Sequence, residues 1–176
     1  MSDAPLVPGS IAEHTGCLLV KVGQVLYRLA EESLADLGLR VRHYSVLQAL
    51  ADNGAMSQLG IGGHLRIDPA TMVSTLDDLE SAGYAARVRD PGDRRRYLVE
   101  TTAAGKKRLA RANRMLSDLD DLLLSDLPQT KRRALHGSLA TLAAGDVLPA
   151  AFDASRFQAG SRKMSSASSP VAPSGR

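Results

Sequence analysis

The sequence predicts a mainly α-helical fold with one small β-hairpin, and two periodicities support this prediction. Apolar residues recur every three or four positions near both ends of the chain, which is the spacing of one helix face. Residues 97–102 instead alternate with the period of two that is typical of a strand. The preceding sequence Asp90-Pro91-Gly92-Asp93 favours a turn, so this part of the chain is expected to be the hairpin.

The N-terminal part of the chain predicts one long helix. Residues 1–10 carry no such repeat and are expected to be a flexible N-terminus, whereas residues 11–40 are expected to form the helix. The apolar residues of this helix share one face, and that face needs a partner to cover it. These residues are Leu18, Leu19, Val22, Val25, Leu26 and Leu29.

Two short helices are expected next. The first spans residues 41–52 and ends at Asn53-Gly54. The second spans residues 58–66 and begins after Ser57, whose side chain can cap it. Three glycines weaken the second helix, since each internal glycine costs about 1 kcal/mol relative to alanine. A phosphate-binding loop is the competing interpretation of these glycines, but no Lys-Ser/Thr pair follows them and no strand precedes them.

A third short helix is expected to begin after Asp68. The Asp68 side chain can accept hydrogen bonds from the first-turn amides, Pro69 suits the first helical position and Gly83 suits the end. The expected buried face is Met72, Leu76 and Leu79, and the expected exposed face is Ala70, Thr71, Ser74, Thr75 and Asp78. Short side chains and hydroxyls allow a helix to approach base edges closely, although an ordinary polar surface helix has the same pattern.

The turn of the hairpin is strongly basic. Between residues 87 and 96, five arginines and two aspartates give a local charge of +3, which equals the formal net charge of the whole chain. Guanidinium groups on a narrow ribbon can neutralise phosphates or enter an electronegative minor groove. A solvated hairpin without a ligand is the alternative. The charged residues concerned are Arg87, Arg89, Asp93, Arg94, Arg95 and Arg96.

The order of these elements indicates one architecture. Three short helices followed by a basic hairpin are typical of a winged helix-turn-helix, in which the last helix enters the major groove and the hairpin, or wing, reaches over the backbone. Residues 41–101 are therefore expected to form a DNA-binding head. The expected recognition residues are Pro69, Ala70, Thr71, Ser74 and Thr75.

The wing resembles that of the MarR family of bacterial transcription regulators. The wing signature of the family is Asp-x-Arg, three variable residues and Leu-x-Leu-Thr. This chain matches it at Asp93, Arg95 and Thr102, whereas Val99 and Thr101 stand in place of the two leucines. By this resemblance, Arg95 enters the minor groove and Asp93 holds it in place.

Two further family patterns are present. Residues 68–84 match a pattern of Asp-Pro, six variable residues and Leu-x-x-Leu-x-x-x-Gly-Tyr, and residues 102–105 match Thr-x-x-Gly. The resemblance covers roughly residues 11–145, and it implies a winged helix-turn-helix with N- and C-terminal dimerisation helices.

One departure from the family affects base reading. Family members often carry an arginine where this chain has Ser74, and the expected recognition helix contains no Lys or Arg. Base reading would then depend on hydroxyls and apolar contacts, while the wing supplies the attraction. His64 and Arg66 are expected to support the DNA backbone.

The C-terminal half predicts further helices within residues 102–150, with a break at Pro128. A small head cannot cover their apolar stripes together with that of residues 11–40. These terminal helices are therefore expected to form a homodimer, which suits a pseudo-palindromic operator. An intramolecular three-helix bundle is the alternative.

The resemblance also implies a small anionic aromatic effector, bound between the dimerisation helices and the head. The polar candidates are Tyr27, Arg40, His43 and Tyr44, although these residues could simply cover a helix junction. Cys17 lies one residue away from the position at which some family members sense peroxides, and the activating tyrosines are missing. A peroxide sensor is therefore the weaker hypothesis.

Composition limits the remaining classes. The chain has 176 residues, of which 44% are apolar, and its single cysteine allows no internal disulfide. With no Trp, two Phe and four Tyr, it offers few platforms for stacking single-stranded bases, which favours duplex DNA. No signal peptide or membrane-spanning run is visible, so a cytoplasmic protein is expected. Residues 151–176, rich in Ser, Ala, Pro and Gly, are expected to be a disordered tail.

No nucleophile-base set, metal cluster or cofactor loop is visible, so an enzyme, a bound metal and a cofactor are not expected. The sequence predicts a homodimeric, ligand-responsive repressor that binds duplex DNA sequence-specifically. An architectural DNA-binding protein or a protein-interaction module of the same fold is the alternative.

Overall fold

A computed structural model describes residues 4–155 of the chain. The described part of the chain divides into two compact units, the first ending at residue 122 and the second beginning at residue 123. The elements, in chain order, are α1 (Thr15–Ala35), α2 (Val41–Asn53), α3 (Gln58–Leu65), α4 (Pro69–Ser81), β1 (Ala85–Arg89), β2 (Tyr97–Thr101), α5 (Ala103–Leu123) and α6 (Gln129–Ala144). The predicted fold class, mainly α with a two-stranded hairpin, is confirmed.

The hydrophobic core of the first unit joins the end of α1 to the short helices, the hairpin and α5. Each of these elements turns one apolar face inward, and such burial contributes about 25 cal/mol per Å² of apolar surface. The buried core residues are Leu34, Leu37, Leu39, Val46, Leu47, Leu50, Ile61, Met72, Leu76, Leu79, Ala85, Val99, Leu109 and Ala112.

The N-terminal half of α1 lies outside this core. Within α1, Leu34 alone is buried, whereas Leu18, Leu19 and Val22 remain 38%, 42% and 43% exposed. A 3-10 helix, Gly9–Glu13, precedes α1, so the last residues of the segment expected to be flexible are regular instead. The apolar stripe of α1 therefore remains uncovered within the described chain.

The helix-turn-helix is held by its caps. The Ser57 hydroxyl accepts a hydrogen bond from the Gly60 backbone N–H at 3.0 Å, and Asp68 Oδ1 accepts one from the Thr71 backbone N–H at 2.9 Å. Between the two helices, Arg66 ends α3 in the left-handed conformation with φ of 53°, which is unusual for a residue with a side chain. Both predicted N-caps are thus present, and the glycine-rich α3 extends over eight residues.

The hairpin is antiparallel and is fixed at its base. Ala85 pairs with Thr101, and Arg89 pairs with Tyr97 next to the turn. Met56 extends the pairing, since its N–H donates to the Val99 carbonyl at 3.1 Å and its carbonyl accepts from the Val99 N–H at 2.7 Å. The loop before α3 and the wing therefore form one hydrogen-bonded unit.

The Thr-x-x-Gly pattern closes the hairpin onto α5. The Thr102 hydroxyl donates to the Gly83 carbonyl at 2.7 Å and accepts from the Gly105 N–H at 3.0 Å. A Cβ on Gly105 would lie 2.0 Å from the Tyr84 carbonyl oxygen, so the close approach of α5 to this loop requires glycine.

The second unit contains α6, in which no residue is buried, and a further helical segment at residues 147–155. This segment corrects the expectation that a disordered tail begins at residue 151. It can be helical because its apolar residues recur at helical spacing and because Pro149 lies in its first turn, where the missing N–H has no helical partner to lose. Residues 156–176, the rest of the expected tail, lie outside the described residues. None of the described helices is both long and apolar enough to cross a membrane.

Candidate nucleic-acid interface

The N-terminal half of α4 presents a surface of short side chains, some of them apolar and some hydroxyl-bearing. Pro69, Ala70, Val73 and Ser74 are exposed and Thr71 is half-buried, whereas the opposite face packs into the core. The sequence prediction placed Thr75 on the exposed face, and this was wrong. Thr75 is fully buried, one turn from Met72 and Leu79 on the core face, and its hydroxyl donates to the Thr71 carbonyl at 2.7 Å.

The hydroxyls of this surface already donate within the helix. Ser74 Oγ donates to the Thr71 carbonyl at 3.0 Å. The Thr71 hydroxyl and backbone N–H both bond to the Asp68 carboxylate, and these bonds lower the pKa of Asp68. The hydroxyl oxygens of Thr71 and Ser74 can therefore only accept hydrogen bonds from a ligand. No positively charged or amide side chain occurs in α4.

The tip of the wing projects three arginines. Arg94, Arg95 and Arg96 are all exposed, as the sequence predicted. Asp93 organises them, since its Oδ1 accepts from the Arg95 backbone N–H at 3.1 Å and its Oδ2 lies 3.4 Å from Arg96 Nε. Asp93 therefore fixes the backbone at Arg95, and its carboxylate pairs with the guanidinium of Arg96.

Arg89 stiffens the tip from within. Its guanidinium lies 4.2 Å from the centroid of the Tyr97 ring, and its Nη1 donates to the Arg94 carbonyl at 2.8 Å. Across the turn, Asp90 Oδ1 accepts from the Gly92 N–H at 2.8 Å. The side chain of Arg89 thus supports the loop that carries the outer arginines.

Arg87 joins the wing to α4. Its Nη2 lies 3.0 Å from Asp77 Oδ1, its Nη1 bonds to Glu80 Oε2, and its backbone N–H donates to Glu80 Oε1 at 3.0 Å. The sequence prediction grouped Arg87 with the groove-facing arginines. In the structure its guanidinium is shared between two carboxylates of the neighbouring helix.

His64 and Arg66 lie at the end of α3 and are exposed. They flank the N-terminus of α4, on which the expected recognition residues lie. Arg66 and the arginines of the wing therefore supply positive charge next to a helix surface that carries none.

A second polar cluster links α1, α2 and α4. His43 is buried; its Nδ1 accepts from the Arg40 backbone N–H at 3.2 Å, and its Nε2 lies 3.2 Å from Asp78 Oδ2. Burial lowers the pKa of His43, and the Asp78 carboxylate partly opposes this shift. Because Nδ1 accepts a hydrogen bond, the geometry assigns the proton of the neutral ring to Nε2.

Two residues that the sequence analysis missed complete this cluster. Arg42 Nη2 donates to Asp78 Oδ2 at 3.1 Å, and Glu31 Oε1 accepts from the Val41 N–H at 2.9 Å. The Nε atom of Arg42 is buried and has no hydrogen-bond partner among the described residues. No local sequence signal indicates these contacts, since their partners are 10 and 36 residues apart.

The four predicted effector residues do not all meet. Tyr27 lies near Glu31, Arg40 and Arg42, and partial burial followed by the Glu31 carboxylate raises the pKa of its hydroxyl. Tyr44 instead packs against the core. Burial, with the charges of Asp52 and Asp120, raises its pKa. The structure therefore groups Tyr27, Arg40 and His43 and places Tyr44 in a different electrostatic environment.

Known proteins are similar to this chain in sequence. A sequence model of the MarR family matches residues 39–97. A protein of Thauera aromatica named for the regulation of the hcr operon is 30% identical over 141 residues, which cover 79% of this chain and 84% of that protein. The HTH-type transcriptional repressor Rv2887 of Mycobacterium tuberculosis is 29% identical over 140 residues, which cover 80% of this chain and 94% of the repressor.

Solved structures share the fold. The transcriptional repressor CouR bound to a 23-mer DNA duplex superposes with a TM-score of 0.70 at 31% identity, covering 81% of this chain and 99% of CouR. CouR from Rhodococcus jostii RHA1 bound to p-coumaroyl-CoA has a TM-score of 0.67 at 27% identity, covering 79% and 98% of the two chains. The exposed small-residue helix, the arginine wing and the extent of these matches agree, and the chain belongs to the MarR family of transcriptional regulators.

Proposed function

We propose that this protein is a homodimeric repressor that binds a pseudo-palindromic operator in duplex DNA and is released by a small anionic aromatic effector. The observation that carries the proposal is the pairing of two exposed elements, the N-terminal half of α4 and the wing tip at Arg94–Arg96. CouR, which shares the fold, was solved on a DNA duplex, and Rv2887 is named as a repressor. Such a protein acts where a bacterial chromosome lies, in the cytoplasm.

In this proposal α4 enters the major groove with Pro69, Ala70, Thr71 and Ser74, and Arg95 enters the adjoining minor groove. Arg94 and Arg96 contact the phosphates beside the wing. His64 and Arg66 contact the backbone at the N-terminus of α4. The exposed N-terminal half of α4 carries no charged side chain, whereas the wing and Arg66 are cationic, so sequence reading is assigned to α4 and attraction to its flanks.

A salt titration tests this function. For operator DNA obtained by selection from random duplexes, log affinity should fall against log salt with a slope of at least about −4, because several phosphate contacts release counterions. Scrambled DNA should bind at least about 10³-fold more weakly. Equal affinity for scrambled DNA would favour an architectural protein, and absence of DNA binding would favour a protein-interaction module.

The dimer is supported by apolar side chains that each unit leaves exposed. In the first unit these are Leu18, Leu19 and Val22 of α1, and in the second unit Leu139 and Leu142 of α6 are 43% and 48% exposed. A second copy that covers them would remove this surface from water.

Analytical ultracentrifugation at micromolar concentration tests the dimer. The native protein should sediment as a dimer, and Leu19→Glu should shift it towards monomer because the substitution places a charge in the interface. Gln24→Glu adds the same charge at another exposed position of α1 and should leave the dimer intact. A strictly monomeric native protein would contradict the proposal.

The effector is proposed to bind at the cluster of Tyr27, Arg40 and His43. Arg42 supports an anion there, because its buried Nε donor lacks a hydrogen-bond partner among the described residues. An aromatic carboxylate would supply an acceptor to this guanidinium and a ring to Tyr27. The CouR structure with p-coumaroyl-CoA supports an aromatic acyl compound as the class of effector.

Release of labelled operator by a panel of aryl carboxylates tests this site. An active compound should lose potency in Arg40→Gln, whereas Arg28→Gln, which removes a charge from an exposed pair on α1, should respond as the native protein does. Equal potency on both variants would place the effector elsewhere.

A further inference from the structure

We propose that α4 recognises thymine methyl groups, and that Val73 is the residue that reads them. This inference rests on the proposed function and adds the chemistry of the bases that the helix selects. Its starting point is a residue that the sequence analysis did not assign: Val73 is 42% exposed on a helix whose other large apolar residues are buried.

The first argument is the lack of donors on α4. Lys, Arg, His, Asn and Gln are all absent from Pro69–Ser81, so the usual bidentate contacts to guanine O6 and N7, or to adenine N6 and N7, have no side chain on this helix. Only hydroxyls remain as polar groups near its N-terminus, at Thr71 and Ser74.

The second argument concerns the direction of the hydroxyl hydrogen bonds. Ser74 Oγ donates to the Thr71 carbonyl at 3.0 Å, and the Thr71 hydroxyl bonds to the Asp68 carboxylate, which accepts only. The lone pairs left on the two hydroxyl oxygens accept hydrogen bonds. These lone pairs can accept from the amino groups of adenine N6 and cytosine N4. They are repelled by the N7 and O6 atoms of guanine, which are both acceptors.

The third argument is the apolar surface itself. Pro69 and Ala70 are exposed beside Val73 on the first turns of the helix. Among the base edges of the major groove, the thymine C5-methyl is the apolar group, and contact with an apolar side chain removes it from water. Acceptors for adenine N6 next to a methyl-binding surface fit A·T pairs, and thymine is the base of that pair which Val73 contacts.

The experiment uses the full-length protein and an operator selected from random duplex DNA. Each thymine of one half-site, and then its symmetry mate, is replaced with deoxyuridine, which removes only the C5-methyl in the major groove. At the position that faces Val73, the loss should raise Kd about fourfold per methyl, since one buried CH₂ contributes about 0.8 kcal/mol. Replacement in both half-sites should raise it by about 15-fold.

The variant Val73→Ser links the effect to this residue. The Kd of this variant for the thymine operator should rise to about the Kd of the native protein for the uracil operator. The variant should also bind the thymine and uracil operators equally. Val147→Ser, at a residue that is 80% exposed in the second unit, is the matched control and should retain the preference. Circular dichroism of both variants confirms that the helices are retained.

A minor-groove substitution separates α4 from the wing. Replacing adenine with 2,6-diaminopurine adds an amino group to the minor groove and leaves the major-groove edge unchanged. It should weaken binding through Arg95 while the thymine-to-uracil ratio stays the same. This arm distinguishes methyl reading by α4 from a general preference of the arginine wing for A·T-rich DNA.

Three outcomes decide the inference. Loss of the thymine preference in Val73→Ser supports it. A selected operator that binds at least about 10³-fold better than scrambled DNA, yet binds equally with uracil, overturns this inference and leaves the proposed function intact. Failure to enrich any sequence overturns the proposed function, and this inference with it.

Discussion

His43 Nε2 lies 3.2 Å from Asp78 Oδ2 and so joins α2 directly to α4. Arg42 reaches the same carboxylate oxygen from the next position, at 3.1 Å. The two contacts connect the proposed effector cluster to α4 without an intermediate element. A ligand that withdraws Arg42 from Asp78 would therefore change a contact that helps to position α4, the proposed DNA-reading helix.

The stability of the protein should fall as the pH drops below about 6.5. Burial lowers the pKa of His43 in the folded state, whereas the unfolded chain keeps the ordinary value of about 6.5. Below that pH the unfolded state binds the extra proton first, so the free energy of unfolding decreases until the folded pKa is reached. Above about pH 6.5, the contribution of His43 to the free energy of unfolding is constant.

Urea unfolding between pH 7.5 and 5 measures this effect, and His43→Gln serves as the control because glutamine does not titrate. The native protein should lose stability relative to this variant as the pH falls. The lowest pH of this titration lies above the pH at which Asp68 and Asp78 are protonated, because the pKa values of both carboxyls are lowered. Parallel curves for the two proteins would contradict the assignment of His43.

Replacement of Asp78 with asparagine should lower the pKa of His43 further. The carboxylate accepts from the imidazole and favours its charged form, so its removal leaves burial and the positive charges of Arg42 and Arg40 to act unopposed. An NMR titration of the His43 ring protons measures the shift. Asp77→Asn removes the same charge from α4 on the side that faces Arg87, and it should leave the His43 titration in place.

Arg95→Ala and Arg87→Ala should differ in kind. Arg95 is exposed at the wing tip, so its loss should weaken operator binding by about 1 to 3 kcal/mol per subunit and reduce the salt slope, with unfolding unchanged. Arg87 instead bridges Asp77 and Glu80, and its side chain is one-third exposed, so its loss should cost at most about 1 kcal/mol of stability.

Paired measurements of unfolding and operator affinity separate the two roles. Arg111→Ala, an exposed residue of α5, removes the same charge and should change neither. If Arg95→Ala binds operator as tightly as the native protein, the groove contact has been assigned to the wrong arginine.

Gly105→Ala should be strongly destabilising. The added Cβ would lie 2.0 Å from the Tyr84 carbonyl oxygen and 2.8 Å from Thr101 Cγ2, so backbone must move to admit it. Overpacking of this kind costs about 1 to 3 kcal/mol, and the hydrogen bond of Thr102 at the helix start would be lost as well. Thermal unfolding measures the change.

Gly137→Ala is the matched control for this prediction. Gly137 lies inside α6 with nothing within 4 Å of the added Cβ, so alanine should stabilise by up to about 1 kcal/mol through its helix propensity. Equal behaviour of the two variants would show that the loop at Tyr84 can relax.

Local chemistry made the helix boundaries predictable. Ser57 and Asp68 cap α3 and α4 because their side-chain oxygens reach the amide three residues ahead, a relation that the sequence displays directly. The Pro-Gly turn and the alternation of residues 97–101 likewise placed the hairpin, since both signals lie within a few residues. These features depend on neighbours in sequence.

The sequence predictions were wrong where hydrogen-bond partners are distant in sequence, or where a side chain suits both a buried and an exposed position. Thr75 was placed on the exposed face because it is polar, but its hydroxyl is satisfied by a carbonyl one turn earlier, and its methyl group suits the core. The contacts of Arg87 with α4 and of His43 with Asp78 depend on how elements pack. No periodicity within either element indicates them.

Arg87 connects the wing to α4 through two carboxylates. Asp77 and Glu80, on the C-terminal half of α4, both bind the guanidinium of Arg87, which lies on β1 of the hairpin. A tilt of α4 would therefore also move the hairpin and the loop at its tip. In the proposed complex, an effector that tilts α4 would thereby also move Arg95 away from the DNA, without contacting the wing itself.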